Sequence, residues 1–427
     1  MYKIKWDRDS NGILLVNSGD NEIIKPPRPV FYEELDLLGF NRFWEYPKVQ
    51  EPLLWAIGRN YYYKGELVAK VKGGNIFEPP EIELTENGQS LSLEPIDVKD
   101  LIEKNKEALF ILENEALDFI EHTYKVYKKK GYLFTVSYSG GKDSQVVLDL
   151  VTRVISPDDL IVIFSDTTME ISYTYENIEK TKKEYERRYP GLKFYITKPS
   201  KSAIEFWREF GPPSRIHRWC STVLKTAPFT NFIRNFLDNN KRKIIVFEGV
   251  RTEESDRRST YQRIAKKVKH FPIINARPIL YWNHLEVILY IYLRNLEMNL
   301  GYRSGLTRIG CYICPFSSEW SEYILSRIEY NKLNRYLELL REYSRAMGLR
   351  EEEEIKRYIA KGQWKKRAGG RGLKNNNTVN FITDGEHLKG VLLNPRENFL
   401  EWIKVVGDIL YNQKTPNRIS GELKTGN

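Results

Sequence analysis

The hydrophobic and polar positions divide the chain into three stretches of different period. Up to about Gly74, short alternating runs such as "YYYKGELVAKVKGG" predict hairpins rather than helices, in a small β-containing N-terminal domain. "NIFEPPEIELTENGQS" then has the prolines and polar residues of a linker ending near Pro95. From Asp97 to Lys130 the period becomes helical. Leu117, Ile120, Tyr124 and Tyr127 share one face, and Lys128, Lys129, Lys130 and Gly131 supply a basic last turn and a terminating glycine. Strands and helices alternate after that. "YLFTVS", "LIVIFSD", "LKFYIT" and "KIIVFEGV" are apolar runs suited to strands buried on both faces, separated by helical stretches that include Asp143–Arg153 and Tyr173–Arg188. This order predicts an α/β fold with a doubly wound parallel sheet, whose ligands bind at the carboxyl ends of the strands. Beyond Ser317 the pattern is helical again, and the acidic run Glu351–Glu354 reads as a solvated helix surface. The expected domains are 1–95 (β-containing), 96–316 (α/β) and 317–427 (helical and basic).

Composition narrows the function. The chain has 427 residues, a formal charge of +10 and no segment approaching the roughly 18 apolar residues of a membrane helix. Its N-terminus "MYKIKWDRDS" lacks the apolar core of a signal peptide, so a cytoplasmic protein is expected. The positive charge favours a polyanionic partner, and "KGQWKKRAGGRGLK" (361–374) holds six basic residues and no acidic one. Three cysteines exclude a disulfide framework and leave metal binding, catalysis or burial.

The chemistry concentrates at "SYSGGKDS". A strand entering a Gly-Gly turn and then a helix gathers backbone N–H groups at the positive end of the helix dipole, where phosphate fits. Gly140 and Gly141 allow close approach of the anion, Ser139 and Ser144 add hydroxyls, and Lys142 adds charge. Asp143 is expected to cap the helix and orient the loop amides. Gly-x-x-x-x-Gly-Lys-Ser/Thr cannot be laid over this turn. The plain alternative is a tight turn that binds nothing.

The Ser-Gly-Gly-x-Asp-Ser signature resembles that of the PP-loop ATP pyrophosphatases, and the stretch from about Tyr132 to Pro315 resembles their phosphoadenylylsulfate (PAPS) reductase branch, of adenine nucleotide alpha hydrolase-like fold. The resemblance implies a loop that grips the β- and γ-phosphates of ATP, with Mg2+ as companion and cleavage between the α- and β-phosphates. It assigns Asp166 and Thr167, at a strand end, to the nucleotide site, and brings Glu170 and Thr174 with them. Ordinary helix capping by Asp166 or Ser172 is the competing reading. "EGVRTEESDRRS" resembles the family's arginine block through Gly249, Arg251, Glu254, Ser255 and Arg258, and Arg251 sits directly at the strand end. Catalytic roles are expected for Lys142, Asp143, Asp166 and Arg251, and Lys225 is a further candidate phosphate contact. Pro278, Ile279, Trp282, Val287 and Tyr290 match a block assigned to packing.

All three cysteines lie in two motifs, Cys220 in "HRWCSTVLK" and Cys311 and Cys314 in "RIGCYICP". Cys-x-x-Cys lets two thiolates converge on one metal, while a redox pair or two buried thiols would look identical. Adenylylsulfate reductases resembling this chain hold an iron-sulfur cluster with four cysteines, and Ser221 stands where the fourth would fall. The expectation is therefore a three-cysteine 4Fe-4S site with one open position, with zinc as rival and His217 as a candidate for the opening. The resembling reductases also use a separate C-terminal cysteine nucleophile, and none follows Cys314 here. The leading expectation is ATP-dependent adenylation followed by sulfur transfer, from a donor protein, to tRNA or another nucleic acid. The alternatives are a sulfonucleotide reductase and the nucleotide-binding component of a DNA phosphorothioation or defence complex.

Overall fold

The computed structural model describes residues 2–17, 23–238, 243–266 and 273–366, and beyond them the strand segments 379–384, 387–392, 409–415 and 418–423. Two compact units result: Met1–Ala203 with Trp219–Tyr330, and Ile204–Arg218 with Asn331–Asn427. No helix among the described residues is long and apolar enough to cross a membrane.

The first unit opens with the expected hairpins. Strands β1 (Lys3–Asp7) and β2 (Gly12–Val16) pair antiparallel. A five-stranded antiparallel sheet follows, in the order β3 (Arg28–Val30), β4 (Leu54–Ile57), β5 (Asn60–Tyr63), β6 (Glu66–Gly73) and β7 (Pro80–Leu84), with helix α1 (Tyr32–Leu38) between β3 and β4. β7 corrects the linker reading. The prolines of "EPPEIEL" mask an edge strand, because Pro80 is its first residue, where no ladder N–H is needed, and Glu81, Ile82, Glu83 and Leu84 then alternate against β6.

Two helices, α2 (Val98–Lys104) and α3 (Lys106–Lys128), fill the stretch expected as one. Asn105 separates them. Its side chain accepts the Leu15 N–H at 2.7 Å and donates to the Ile13 and Leu101 carbonyls at 2.7 and 2.8 Å, tying β2 to the helix junction.

The α/β part runs β8 (Leu133–Tyr138), α4 (Lys142–Thr152), β9 (Leu160–Ser165), α5 (Ser172–Arg188) and β10 (Lys193–Thr197). After α6 (Ala203–Phe210), which apart from Ala203 belongs to the second unit, it continues through α7 (Ala227–Asp238), β11 (Ile244–Glu248), α8 (Asp256–Ser259), β12 (Ile264–Lys266), β13 (Ile273–Ala276) and α9 (His284–Leu293). The strands order as β10-β9-β8-β11-β13-β12, parallel except for β12 at the edge. Both faces are covered, as the continuous apolar runs require. Phe134, Val136, Val162 and Phe247 face one core with Ile120, Val147, Val287 and Tyr290, whereas Leu133, Ile161, Ile163 and Val246 face the other with Ile233 of α7. Helices α10 (Leu300–Arg303) and α11 (Glu319–Ile328) complete the unit.

In the second unit, α12 (Tyr330–Ala346) and α13 (Glu352–Ala360) carry the expected helices. Buried Trp207 packs edge-on against Tyr336, with ring centroids 5.1 Å apart, and lies 6.1 Å from Trp364. The helical reading of 317–427 is corrected past Lys366. β14 (Val379–Asp384) pairs with β15 (His387–Leu392), and β16 (Ile409–Thr415) with β17 (Arg418–Leu423), and the first strand of each pair carries the β-branched and aromatic residues that favour a strand, Val379, Phe381, Ile382 and Thr383 in β14 and Ile409, Tyr411 and Thr415 in β16. Of the basic tract, residues 367–374 lie outside the described residues.

Asn105→Ala strands the Leu15 N–H in the core. A loss of roughly 2–4 kcal/mol is expected for that change, read as a lowered urea midpoint of the full chain.

Candidate phosphate-loop and thiol site

β8 is central, and the chain moves outward from it through β9 to β10 before returning to β11 on its other side. The crevice between β8 and β11 is thus the switch point of the sheet. Two loops line its carboxyl end, Ser139–Gly141 after β8 and Gly249–Arg251 after β11. Gly140 has φ +70°, and a Cβ there would lie 3.0 Å from Thr174 Cγ2. Gly249 is tighter still. Its Cβ would meet the Asp143 carbonyl carbon at 2.6 Å and the Ser144 nitrogen at 2.8 Å, so only glycine lets β11 approach the first turn of α4.

The loop closes on itself through Ser144, whose hydroxyl donates to the Gly141 carbonyl at 2.8 Å and accepts the Ser139 N–H at 3.1 Å. Asp143 departs from its expected capping role. Gly141 is the N-cap and no side chain caps the helix; the Asp143 carboxylate instead accepts from Lys142 Nζ at 2.6 Å and from Arg251 Nε at 2.5 Å. Burial alone would raise its pKa, but the Lys142 and Arg251 charges and their hydrogen bonds outweigh burial and hold the carboxyl well below its usual range. Burial likewise lowers the Lys142 ammonium pKa, against the pull of Asp143. Arg251 extends the network to Glu253 at 2.8 Å, and Glu253 accepts the His284 N–H at 2.7 Å at the start of α9. His284 stays neutral, since burial and then the Lys142 and Arg251 charges push its pKa far down. Glu254 pairs with Arg258 and accepts the Arg251 N–H.

The strand end after β9 is built differently. Asp166 is buried, and its Oδ1 accepts from the Thr168 N–H at 2.8 Å and the Tyr175 hydroxyl at 2.7 Å, while Lys198 lies 3.1 Å from Oδ2. These contacts hold Thr168 at φ +60°, a conformation costly for a β-branched residue. Helix α5 is not capped by Ser172 or Asp166; Glu329 accepts the Ser172 N–H at 2.6 Å.

Thr167 faces the thiols. Its hydroxyl donates to Glu170 at 2.8 Å and lies 3.9 Å from Cys311 Sγ, and Glu170 and Cys311 form an antiparallel bridge reinforced by the Tyr312 N–H on the Met169 carbonyl at 2.9 Å. Burial, then the Glu170 charge and those of Cys314 and Cys220, push the Cys311 pKa well above the usual thiol value. Burial also raises Glu170, against Thr167 and the Lys225 charge. Cys220 precedes a π-helical stretch, Ser221–Thr226, that leads into α7. Lys225 is exposed on that stretch, and His217 belongs to the second unit, where its N–H donates to Ser214 at 2.9 Å. Cys311 beside Glu170, with Cys314 and Cys220 near enough to add to the charge it feels, offers soft donors of the kind that would suit a thiophilic cation. Among the described residues no three His, Cys, Asp or Glu side chains are drawn to metal-ligating spacing.

Sequence reasoning missed Asn299 and Tyr302. Asn299 caps α10, and its Nδ2 donates to the Gly140 carbonyl at 3.1 Å; the Tyr302 hydroxyl accepts the Lys142 N–H at 3.1 Å. The Asn-x-Gly start of a short helix, Asn299 to Gly301, is the available sequence signal.

The phosphoadenosine phosphosulfate reductase domain matches residues 134–317. An adenosine 5'-phosphosulfate reductase of Geobacillus sp. is 30% identical over 47% of this chain and 78% of its own length. The chain belongs to the PAPS reductase-like family of the PP-loop superfamily. Two uncharacterised proteins of Methanocaldococcus jannaschii are 33% and 32% identical over 62% and 63% of this chain, whose match spans only 52% and 60% of their lengths. In this PAPS reductase-like chain the family domain thus accounts for the α/β sheet, both loops and the Cys-x-x-Cys.

Gly249→Ala forces a methyl group into the backbone of α4. The folded protein is expected to lose binding of ATP and pyrophosphate by calorimetry while keeping its far-UV circular dichroism. The depressed Asp143 pKa fixes a sign as well: its contribution to stability is present above the ordinary carboxylate pKa of about 4 and is lost as pH falls through its folded value. Urea midpoints should therefore drop on acidification, and Asp143→Asn should lower the neutral-pH midpoint and shrink that drop.

Proposed function

We propose that this protein is an ATP-dependent adenylating enzyme that transfers sulfur to a nucleic acid such as tRNA, using a metal centre held by Cys220, Cys311 and Cys314. What supports the reading is that Cys311 lies beside Thr167, at the strand end after β9, with Cys314 and Cys220 near enough to add to the charge it feels. If Cys220, Cys311 and Cys314 hold a metal, none of the cysteines in these 427 residues is left to attack a sulfonate sulfur.

The loop amides of Ser139–Ser144, with Lys142 and Arg251, bind the ATP phosphates, and Mg2+ when bound supplies further neutralisation of their charge. A carbonyl oxygen of the acceptor base attacks the α-phosphorus, and pyrophosphate leaves. A sulfide-level sulfur from a donor then adds to the activated carbon, AMP departs with the original oxygen, and no net redox change is needed. A 4Fe-4S cluster, or zinc, supplies when bound a Lewis-acidic position for that sulfur. Glu170 and Thr167 shape the acidic side of the pocket. The Geobacillus relative named as an adenosine 5'-phosphosulfate reductase supports the second reading, sulfonucleotide reduction with an external thiol.

Anaerobically purified protein is expected to contain iron and acid-labile sulfide and to release pyrophosphate from ATP when tRNA is added. Cys311→Ala should lose the metal and thiolated-base formation while still binding ATP. Sulfite release from adenylylsulfate with reduced thioredoxin, and no pyrophosphate with tRNA, would replace the first reading by the second.

A further inference from the structure

The segment Asn299–Gly305 touches the phosphate loop with one side and the N-terminal β domain with the other. On the loop side, Asn299 holds the Gly140 carbonyl, and the Tyr302 hydroxyl accepts the Lys142 N–H, one of the backbone donors a phosphate would seek. A Cβ on Gly141 would stand 3.2 Å from that hydroxyl, and Lys142 Nζ lies 5.5 Å from the Tyr302 ring centroid. Tyr302 is thus a wall of the cradle. Among the described residues its hydroxyl only accepts, which leaves its own O–H proton for an anion.

The next residue faces the other way. Arg303 makes a fork with Glu33, at 2.6 and 3.1 Å, donates to the Gln50 and Val49 carbonyls at 2.7 and 3.2 Å, and stacks over Phe31 at 4.4 Å. Gly305 lies against Glu34, which is buried and held by Arg28 and Tyr61. A guanidinium with this many fixed acceptors does not drift. Four-residue α10 therefore has its position set by the N-terminal domain.

We infer that Tyr302 is a direct ligand of the bound phosphates, donating its O–H to them, and that Arg303 and Glu33 are positioning residues through which the N-terminal domain sets that ligand. The inference rests on the phosphate-loop reading above. It makes the N-terminal domain part of the nucleotide site, and any ligand that shifts α1 would change nucleotide affinity.

The test is calorimetric titration of inorganic pyrophosphate, and of ATP, into the full chain and the variants Tyr302→Phe, Glu33→Gln and their combination, with melting curves alongside. A hydrogen bond to a charged oxygen predicts at least about tenfold weaker binding for Tyr302→Phe. Tyr302→Phe also leaves the Lys142 N–H without its partner, so a lower melting point is expected, and the titrations are run well below it, where the variant is folded. Glu33→Gln should weaken binding less, raising KM for ATP with kcat held, and should add nothing in the Tyr302→Phe background. Unchanged affinity in Tyr302→Phe overturns the ligand assignment, and full additivity in the double variant overturns the coupling. If the wild type binds neither pyrophosphate nor ATP, the phosphate-loop reading has failed and this inference with it.

Discussion

Asp143 lies between Lys142 Nζ and Arg251 Nε, and two segments far apart in sequence are fixed by that one carboxylate. Each of the three charges is largely removed from water, a state that costs several kcal/mol per ion unless partners compensate. The compensation is mutual, so the first turn of α4, the loop after β11 and, through Glu253, the start of α9 hold one arrangement or none. Gly249 is the steric half of the same constraint. Without a Cβ, the loop after β11 comes close enough for Arg251 to reach the carboxylate, and two cations are presented at the mouth of a cradle of backbone N–H groups.

Two other segments carry that order to the sulfur side. Thr167–Thr174 begins against Cys311 and ends with Thr174 under Gly140; Asn299–Cys314 begins on the Gly140 carbonyl and the Lys142 N–H and ends with the two thiols. Both are short and pinned at each end, by the Glu170–Cys311 bridge on one side and the Asn299 and Tyr302 contacts on the other.

The parallel sheet was legible because its strands are buried on both faces, and a run such as "LIVIFS" has one plausible fate. The phosphate loop was legible because Gly140 and Gly141 leave a backbone signature. Partners were not. That Asp143 binds Lys142 and Arg251 instead of capping depends on where β11 places residue 251, a long-range fact with no local pattern. β7 was hidden because Pro80 reads as a breaker wherever it stands, although at the first position of an edge strand it costs no ladder bond. Tyr302 was hidden for the opposite reason, since an aromatic beside a glycine in a short helix looks like ordinary packing until its hydroxyl is seen on a loop amide.

The ionised groups along the crevice are paired at both ends. Lys142 and Arg251, with the positive end of the α4 dipole, share Asp143 and Glu253 at the end after β8 and β11, while Glu170, Cys311 and the Asp166–Lys198 pair stand at the end after β9. At protein interior dielectric, charges several ångströms apart still interact by a few kcal/mol, so an ion bound at either end would shift the balance of the pairs around it. Lys225, exposed on the π-helical stretch, lowers the Glu170 pKa by its charge and joins Lys198 as a cation on that side.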